Sequence, residues 1–447
     1  MALRQVNIDR ETPLLFPPCL QDWLPENDIA HLILDAVELI GTNHYHVNHR
    51  GSGSEQYPPQ MMLALLIYSY SHGITSSRKI ERATYRDIAV RYITADTHPD
   101  HDTICSFRRQ NGELIRECFI KVLKLAQKIG LKTMGEVALD GTKIQANASR
   151  HKTTTYQKLQ EEQRQLEQAI EVLMQRAETQ DQSEQNAKNQ LPSELKNHQA
   201  RLEKLRQAQK ALQDQANELA KERDKERENF DHKGPGEPPR PKSAEPHPGQ
   251  TINLTDAEAP LMPQKQGGPQ QPSYNAQIAV EACAKAPLIL AADLSVEPND
   301  RRQLLPMAKQ ALATQPNTST IHVDSGYDNT PQIYQLEQSH GLHIYCPPQT
   351  SKNGIEKDPN KKRKLSPQRT QDYRQGMRAN MKTEKGRQSR GKRASSVEPV
   401  FHYIKNILGI RKFSLRGIAK AKTEWVLICL SFNLNLLQRL RIRGMTA

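Results

Sequence analysis

The sequence predicts a mixed α/β chain whose strand-bearing core follows an all-α segment and is interrupted by an inserted helical hairpin. Three observations predict it. Residues 1–130 carry apolar side chains at helical spacing. From Glu136 onward the pattern changes to short β runs at 137–145, 274–282, 288–296, 321–324 and 343–346. Between the first two runs lie two heptad-spaced arms and a Pro/Gly-rich stretch.

In the first 130 residues, Asn27 or Asp28 can cap a helix with Ile29, Leu32, Ile33, Val37 and Ile40 on one face. Pro58 and Pro59 open an apolar segment over 61–70, and Ser76 and Ser77 cap a pair of short helices through Tyr92. One long helix is expected from Asp102, with Phe107, Ile115, Phe119, Val122 and Ile129 inward and Arg108 and Arg109 outside. Short helices with exposed arginines fit a DNA-binding module, and equally an ordinary helical cap.

After the 137–145 strand, Leu159, Leu166, Ile170, Leu173 and Ala177 form one heptad seam. Leu202, Leu205, Leu212, Ala216 and Leu219 form a second, with Pro192 between them. Such arms make an antiparallel coiled-coil hairpin over 151–233, either an interaction arm or an inert spacer. Residues 234–272 lack periodicity and are expected to be a flexible linker. Asn299 and Asp300 can cap a helix over 304–311, another helix is expected over 330–340, and an apolar helix over 425–440 closes the chain. Three strands, a helix, a strand, a helix, a strand and a final helix is the order of a ribonuclease-H-like core, formed from 131–150 and 273–440.

A formal charge of +13 favours a polyanionic partner. From 356 to 393 there are fourteen Lys/Arg against four Asp/Glu, so the basic segment 349–393 is expected to be a phosphate-tracking arm. The six cysteines show no metal-ligand spacing, there is no apolar signal region, and the apolar runs are too short to span a bilayer. A cytosolic chain with no membrane role is expected.

Asp140 and Asp324 each end an apolar run, where an ionised carboxylate is costly unless compensated. Glu398 is expected on the first turn of a helix whose core stripe is Val397, Phe401, Ile404 and Leu408. Glu398, His402 and Lys405 share the adjacent stripe. Three acids so disposed suggest divalent cations, and hard oxygen ligands suit Mg²⁺ or Mn²⁺.

Six stretches in order carry a resemblance: 20–26 (LQDWLPE), 98–103 (HPDHDT) with Phe107-Arg108-Arg109, 139–143 (LDGTK), 274–277 (YNAQ), 324–328 (DSGYD) and 397–401 (VEPVF). The chain resembles DDE-type transposases of bacterial insertion sequences, with a helical N-terminal module and a ribonuclease-H-like core. The resemblance implies Asp140, Asp324 and Glu398 as a metal-binding triad for two Mg²⁺ or Mn²⁺ ions. It implies Arg393 and Lys405 as contacts to phosphate or a DNA end. Arg390 stands where the family has a tyrosine, and His402 where it has a glycine. Arg108, Arg109, Arg390 and His402 complete the expected DNA contacts. The implied partner is double-stranded DNA, both element ends and target, bound by a homodimer or higher oligomer near the nucleoid. The alternatives are a ribonuclease-H-like nuclease that never joins strands, and a decayed, DNA-binding copy.

Overall fold

The computed structural model describes residues 19–39, 56–128, 135–181, 191–230, 235, 238–264, 268–283, 285–347 and 368–444. Its first helices are α1 (Ile29–Glu38), α2 (Pro59–Ser71), α3 (Ser77–Arg86), α4 (Ile88–Ile93), α5 (His101–Gln110) and α6 (Gly112–Lys128). Asp28 does cap α1, its carboxylate accepting from the Ala30 N–H at 2.8 Å. Ile40 and Ile129 lie outside the described residues.

The long helix expected from Asp102 is instead two, α5 and α6. Asn111 leaves helical geometry (ψ 42°) and Gly112 follows it, a pair that favours a break over continuation.

The core begins with β1 (Glu136–Gln145) and β2 (Thr153–Thr155), followed by α7 (Tyr156–Asp181) and α8 (Leu191–Glu228). Next come β3 (Thr251–Asn253), β4 (Leu261–Pro263), β5 (Gln270–Glu281) and β6 (Ile289–Ser295). The chain then forms α9 (Leu304–Thr314), β7 (Thr320–His322), α10 (Thr330–His340), β8 (His343–Tyr345), α11 (Gln368–Lys382), α12 (Glu384–His402) and α13 (Ile418–Ile442).

The main sheet runs β6-β5-β1-β7-β8, with β4 on the first residues of β5. β5 lies antiparallel to both β1 and β6, whereas β7 lies parallel to both β1 and β8. β5 is buried almost throughout, since helices cover both faces of the sheet centre.

Helices α7 and α8 pack on each other through Leu159, Leu205, Ala208 and Leu212, with ion pairs Arg201–Glu162 and Arg206–Glu167. Pro192 lies in the first turn of α8, where a missing N–H costs nothing. The side chain of Ala177 and residues 182–190 lie outside the description.

The stretch 234–272 is not a free linker where it is described. β3 pairs with β2, β4 pairs with β5, and Ile252, Asn253, Asp256 and Met262 are buried. Asp256 accepts from the Tyr274 hydroxyl at 3.0 Å, which ties the segment to β5.

The N-terminal helices do not form an isolated unit. One continuous hydrophobic core runs from α1 and α2 through the sheet to α13. α13 packs against α1, α2 and α6 on one side and β6 on the other. Its Asn433 side chain accepts from the Ile289 N–H and donates to the Ile289 carbonyl, both at 2.9 Å. Ser431 Oγ donates to the Ile67 carbonyl at 3.2 Å. Among the described residues no helix is long and apolar enough to cross a membrane, and the six cysteines are free thiols.

Candidate active site

The parallel pairing of β1 with β7 ends at Ala138 opposite His322. Asp140 and Asp324 each lie two residues beyond that pair, so equal register carries both acids past the end of the ladder side by side. Asp140 is still paired on its other flank, opposite Ile278 of β5. Asp324 has left the strand, a correction to the expected 321–324 run, and caps the 3₁₀ turn Ser325–Tyr327 by accepting from the Gly326 N–H at 2.8 Å.

Asp140 accepts from its neighbour's N–H at 2.8 Å through Oδ1 and pairs with Arg393 Nη1 at 2.5 Å through Oδ2. Burial is the main cause pushing its carboxyl up to about 7. Asp324 and Asp300 add to the rise, while Arg393 and the Gly141 N–H oppose it.

Helix α12 delivers Arg393 because it is far longer than the sequence suggested. It starts at Glu384, capped by Thr383 accepting from the Gly386 N–H at 3.1 Å. Glu398 therefore stands near its C-terminal end, not on its first turn. Residues 384–393 of the expected basic arm are docked helix. Ser389 bonds the buried His322 at 2.7 Å, and Lys392 pairs with Glu136 at 2.6 Å. Residues 368–382 of that run form α11, and 356–367 lie outside the described residues.

Val397 and Val400 form the buried stripe of α12, continued by Ile404 and Leu408 beyond its end, with Phe401 half-buried and Glu398 exposed. Pro399 lies within the helix, and the chain passes into a π-helical turn at Tyr403–Ile407. Lys405 on that turn donates to Thr142 Oγ1 at 2.5 Å and to the Lys143 carbonyl at 3.0 Å. Glu398 is thus flanked along its helix by two cations that reach β1 on either side of Gly141. Among the described residues no three His, Cys, Asp or Glu side chains are drawn together for coordination.

The second face of β1 carries groups the sequence reading missed. Asn299 and Asp300 do not cap a helix, as α9 starts only at Leu304. Asp300 Oδ1 instead accepts from Asn275 Nδ2 at 2.7 Å and Gln277 Nε2 at 2.6 Å. Gln277 also accepts from the buried Tyr327 hydroxyl and faces Gly141 across the sheet, while Lys143 faces Asn275. Burial lowers the Lys143 ammonium, while Asp300, Asp140 and Asp324 pull it back up. Two amides alternating along an apolar strand were the available signal.

These acids fit a divalent cation. They supply hard carboxylate oxygens, and glycines at 141 and 326 keep the space between them open, since a Cβ at Gly326 would lie 2.9 Å from Asp324 Oδ1. A bound cation would also offset the repulsion from Asp324 and Asp300 that adds to the effect of burial on the Asp140 carboxyl.

Of the expected DNA contacts, Arg109, Arg390 and His402 are exposed. Arg108 is not outside: it is 2 % exposed and donates to the Tyr70 hydroxyl and, at 2.8 Å, to the Thr75 carbonyl. It shares this pocket with Glu424, which accepts from the Tyr70 hydroxyl at 2.9 Å and the Leu415 N–H at 2.9 Å.

Beyond β1, an open groove of about 910 Å³ is lined by Arg150, His151, Lys152, Lys412 and Arg416. A second groove of about 610 Å³ shares Asn147 and Lys412 with it and adds Arg78 and Arg411. Among the described residues none of these arginines and lysines has an acidic partner within 4.0 Å.

Two family models match the chain. A Transposase domain (DUF772) matches residues 18–110, which hold α1–α5. A Transposase DDE domain matches residues 344–438, which hold Arg393, Glu398 and Lys405. No curated protein and no solved structure matches. The two matches support a DDE-type transposase of an insertion sequence, and the second indicates an enzyme of metal-dependent DNA cleavage and transfer.

Proposed function

We propose that the chain binds the ends of its insertion sequence, cleaves DNA strands there and joins them to target DNA. Asp140, Asp324 and Glu398 act as its catalytic and metal-binding triad. The observation that carries this reading is the shared register of Asp140 and Asp324 at the end of the β1–β7 ladder, with α12 docked across it by Arg393. The sheet order, with β1 central and β7 parallel to it, supports a ribonuclease-H-like core.

The expected cations are two Mg²⁺ or Mn²⁺ ions, which would stabilise charge on the attacking and leaving oxygens of an in-line displacement. The side chains do the rest. Arg393 holds its guanidinium at the carboxylate beside which the scissile phosphate must lie, and Lys405 fixes the π-turn against β1, so both orient the strand. Glu398, exposed at the end of its helix, approaches the two aspartates when α12 shifts. His402 adds a phosphate contact.

Duplex DNA follows the two basic grooves past Lys412 and Arg416, with Arg109 and Arg390 as further contacts; Arg108 keeps an internal role. The α7–α8 pair forms a coiled-coil hairpin that assembles paired ends in a homodimer or larger complex.

Asp140→Asn, Asp324→Asn and Glu398→Gln are expected to abolish cleavage and joining of element-end DNA while end binding in a gel-shift assay persists. A folded variant with near-normal cleavage would remove that acid from the triad. Cleavage without any joined product would favour the nuclease reading.

A further inference from the structure

Asp300 is held as deliberately as the two aspartates beside it. Its Oδ1 takes both amide donors, Asn275 Nδ2 and Gln277 Nε2. Gln277 cannot turn its amide over, because its Oε1 accepts from the Tyr327 hydroxyl. Tyr327 follows Asp324 by three residues, so the turn that positions Asp324 also positions Asp300.

Asp300 Oδ2 is left facing the Asp324 side. A Cβ at Gly326 would lie 3.4 Å from Asp300 Oδ2 and 2.9 Å from Asp324 Oδ1, so both carboxylates converge on one glycine. At Gly141 a Cβ would come within 2.5 Å of Asp300 Oδ1. Only glycine there lets a carboxylate approach the strand next to Asp140.

A fully buried acceptor points to the same place. Asn275 Oδ1 has no hydrogen-bond partner, and it lies 3.0 Å from that same Cβ position on Gly141. A third acid, half-buried beside these two and next to an unsatisfied carbonyl oxygen, adds negative charge that a bound cation would compensate.

We propose that Asp300 is a further ligand of the divalent-cation site, shared with Asp324 through Oδ2, with Gln277 and Tyr327 as positioning residues. The proposal rests on the reading of Asp140 and Asp324 as metal-binding acids.

The test is Mn²⁺ titration of the full-length protein without DNA, followed by electron paramagnetic resonance, alongside thermal melts in EDTA. Asp300→Asn keeps an acceptor for both amides but replaces the charged Oδ2 with an NH₂ that cannot bind a cation. Its Mn²⁺ affinity is expected to fall at least ~10-fold, with metal-free melting unchanged or higher, and Asp300→Glu should recover part of the loss. Should Asp300→Asn fail to fold, Tyr327→Phe leaves the carboxylate but frees Gln277, and is expected to weaken Mn²⁺ several-fold. Wild-type affinity in the folded Asp300 or Tyr327 variant, with Asp324→Asn impaired, would overturn the proposal. Impairment in Asp300→Asn but not in Asp324→Asn would keep Asp300 and remove Asp324. Normal affinity in both variants would overturn both readings.

Discussion

Asp140→Asn should flatten the pH dependence of stability in the metal-free protein. The wild-type carboxyl is raised from 3.8 to about 7, chiefly by burial, with Asp324 and Asp300 adding to it against Arg393. A native state that holds its proton more tightly than the unfolded chain is favoured at low pH. That stabilisation is complete below the unfolded value and is lost as pH rises through the folded one. At ~1.4 kcal/mol per pKa unit, wild type should lose on the order of 3 kcal/mol between pH 5 and pH 8 that the amide variant does not lose. The side chain is only 17 % exposed, so solvent screening removes little of this. The missing charge opposite Arg393 shifts the variant nearly equally at both pH values and drops out of the comparison. For a chain of this length, ~2 cal/mol/K per residue converts the difference to about 3 °C in Tm. Melts in EDTA at pH 5, 6.5 and 8, followed by circular dichroism, measure it. Parallel pH profiles for wild type and variant would refute the account of Asp140 as a carboxyl crowded by burial and by its two acidic neighbours.

Three further outcomes follow from packing and charge. Gly141→Ala would place a Cβ 2.2 Å from Gln277 Nε2; strand cleavage should be lost while urea unfolding shows a cost of about 1–3 kcal/mol, and full cleavage would show that close approach there is dispensable. Glu424→Leu strips the fully buried acceptor from Tyr70, Ser414 and Leu415 and leaves Arg108 inside. It should cost about 3–5 kcal/mol in urea melts, and a loss below about 1 kcal/mol would contradict the buried network. Lys412→Gln with Arg416→Gln should lower the slope of log affinity against log salt by ~0.9 for each phosphate the variant no longer neutralises, and an unchanged slope would route the DNA elsewhere.

The two aspartates were legible because a carboxylate closing an apolar run stands out in sequence. Asp300 was not, because its partners come from two positions on a strand some 25 residues earlier and an Asn-Asp pair before a helix resembles a cap. Arg108 misled for a related reason. Helical spacing placed it beside Arg109 on the outside, while a tyrosine of α2 and a carbonyl of the loop that follows α2 draw it in. The start of α12 was hidden by its polarity. It is held by Ser389 to His322 and Lys392 to Glu136, contacts that local pattern does not encode. Residues 251–253 failed as a strand prediction because they are too short to signal one and pair with residues about a hundred positions earlier.

The position of α13 bears on how the protein is made. The apolar faces of α2 and α6 find their main partner in α13, the last helix of the described chain, and α1 packs on it as well. A ribosome adding 5–20 residues per second needs roughly 15–70 s to reach α13 after finishing α2. Over that interval α2 and α6 lack the surface that buries them, so a nascent chain, or one terminated before α13, cannot complete its N-terminal helical core. Folding of the helices in residues 29–128 is therefore coupled to synthesis through α13, and copies of the gene broken before it yield fragments for proteolysis rather than folded chains.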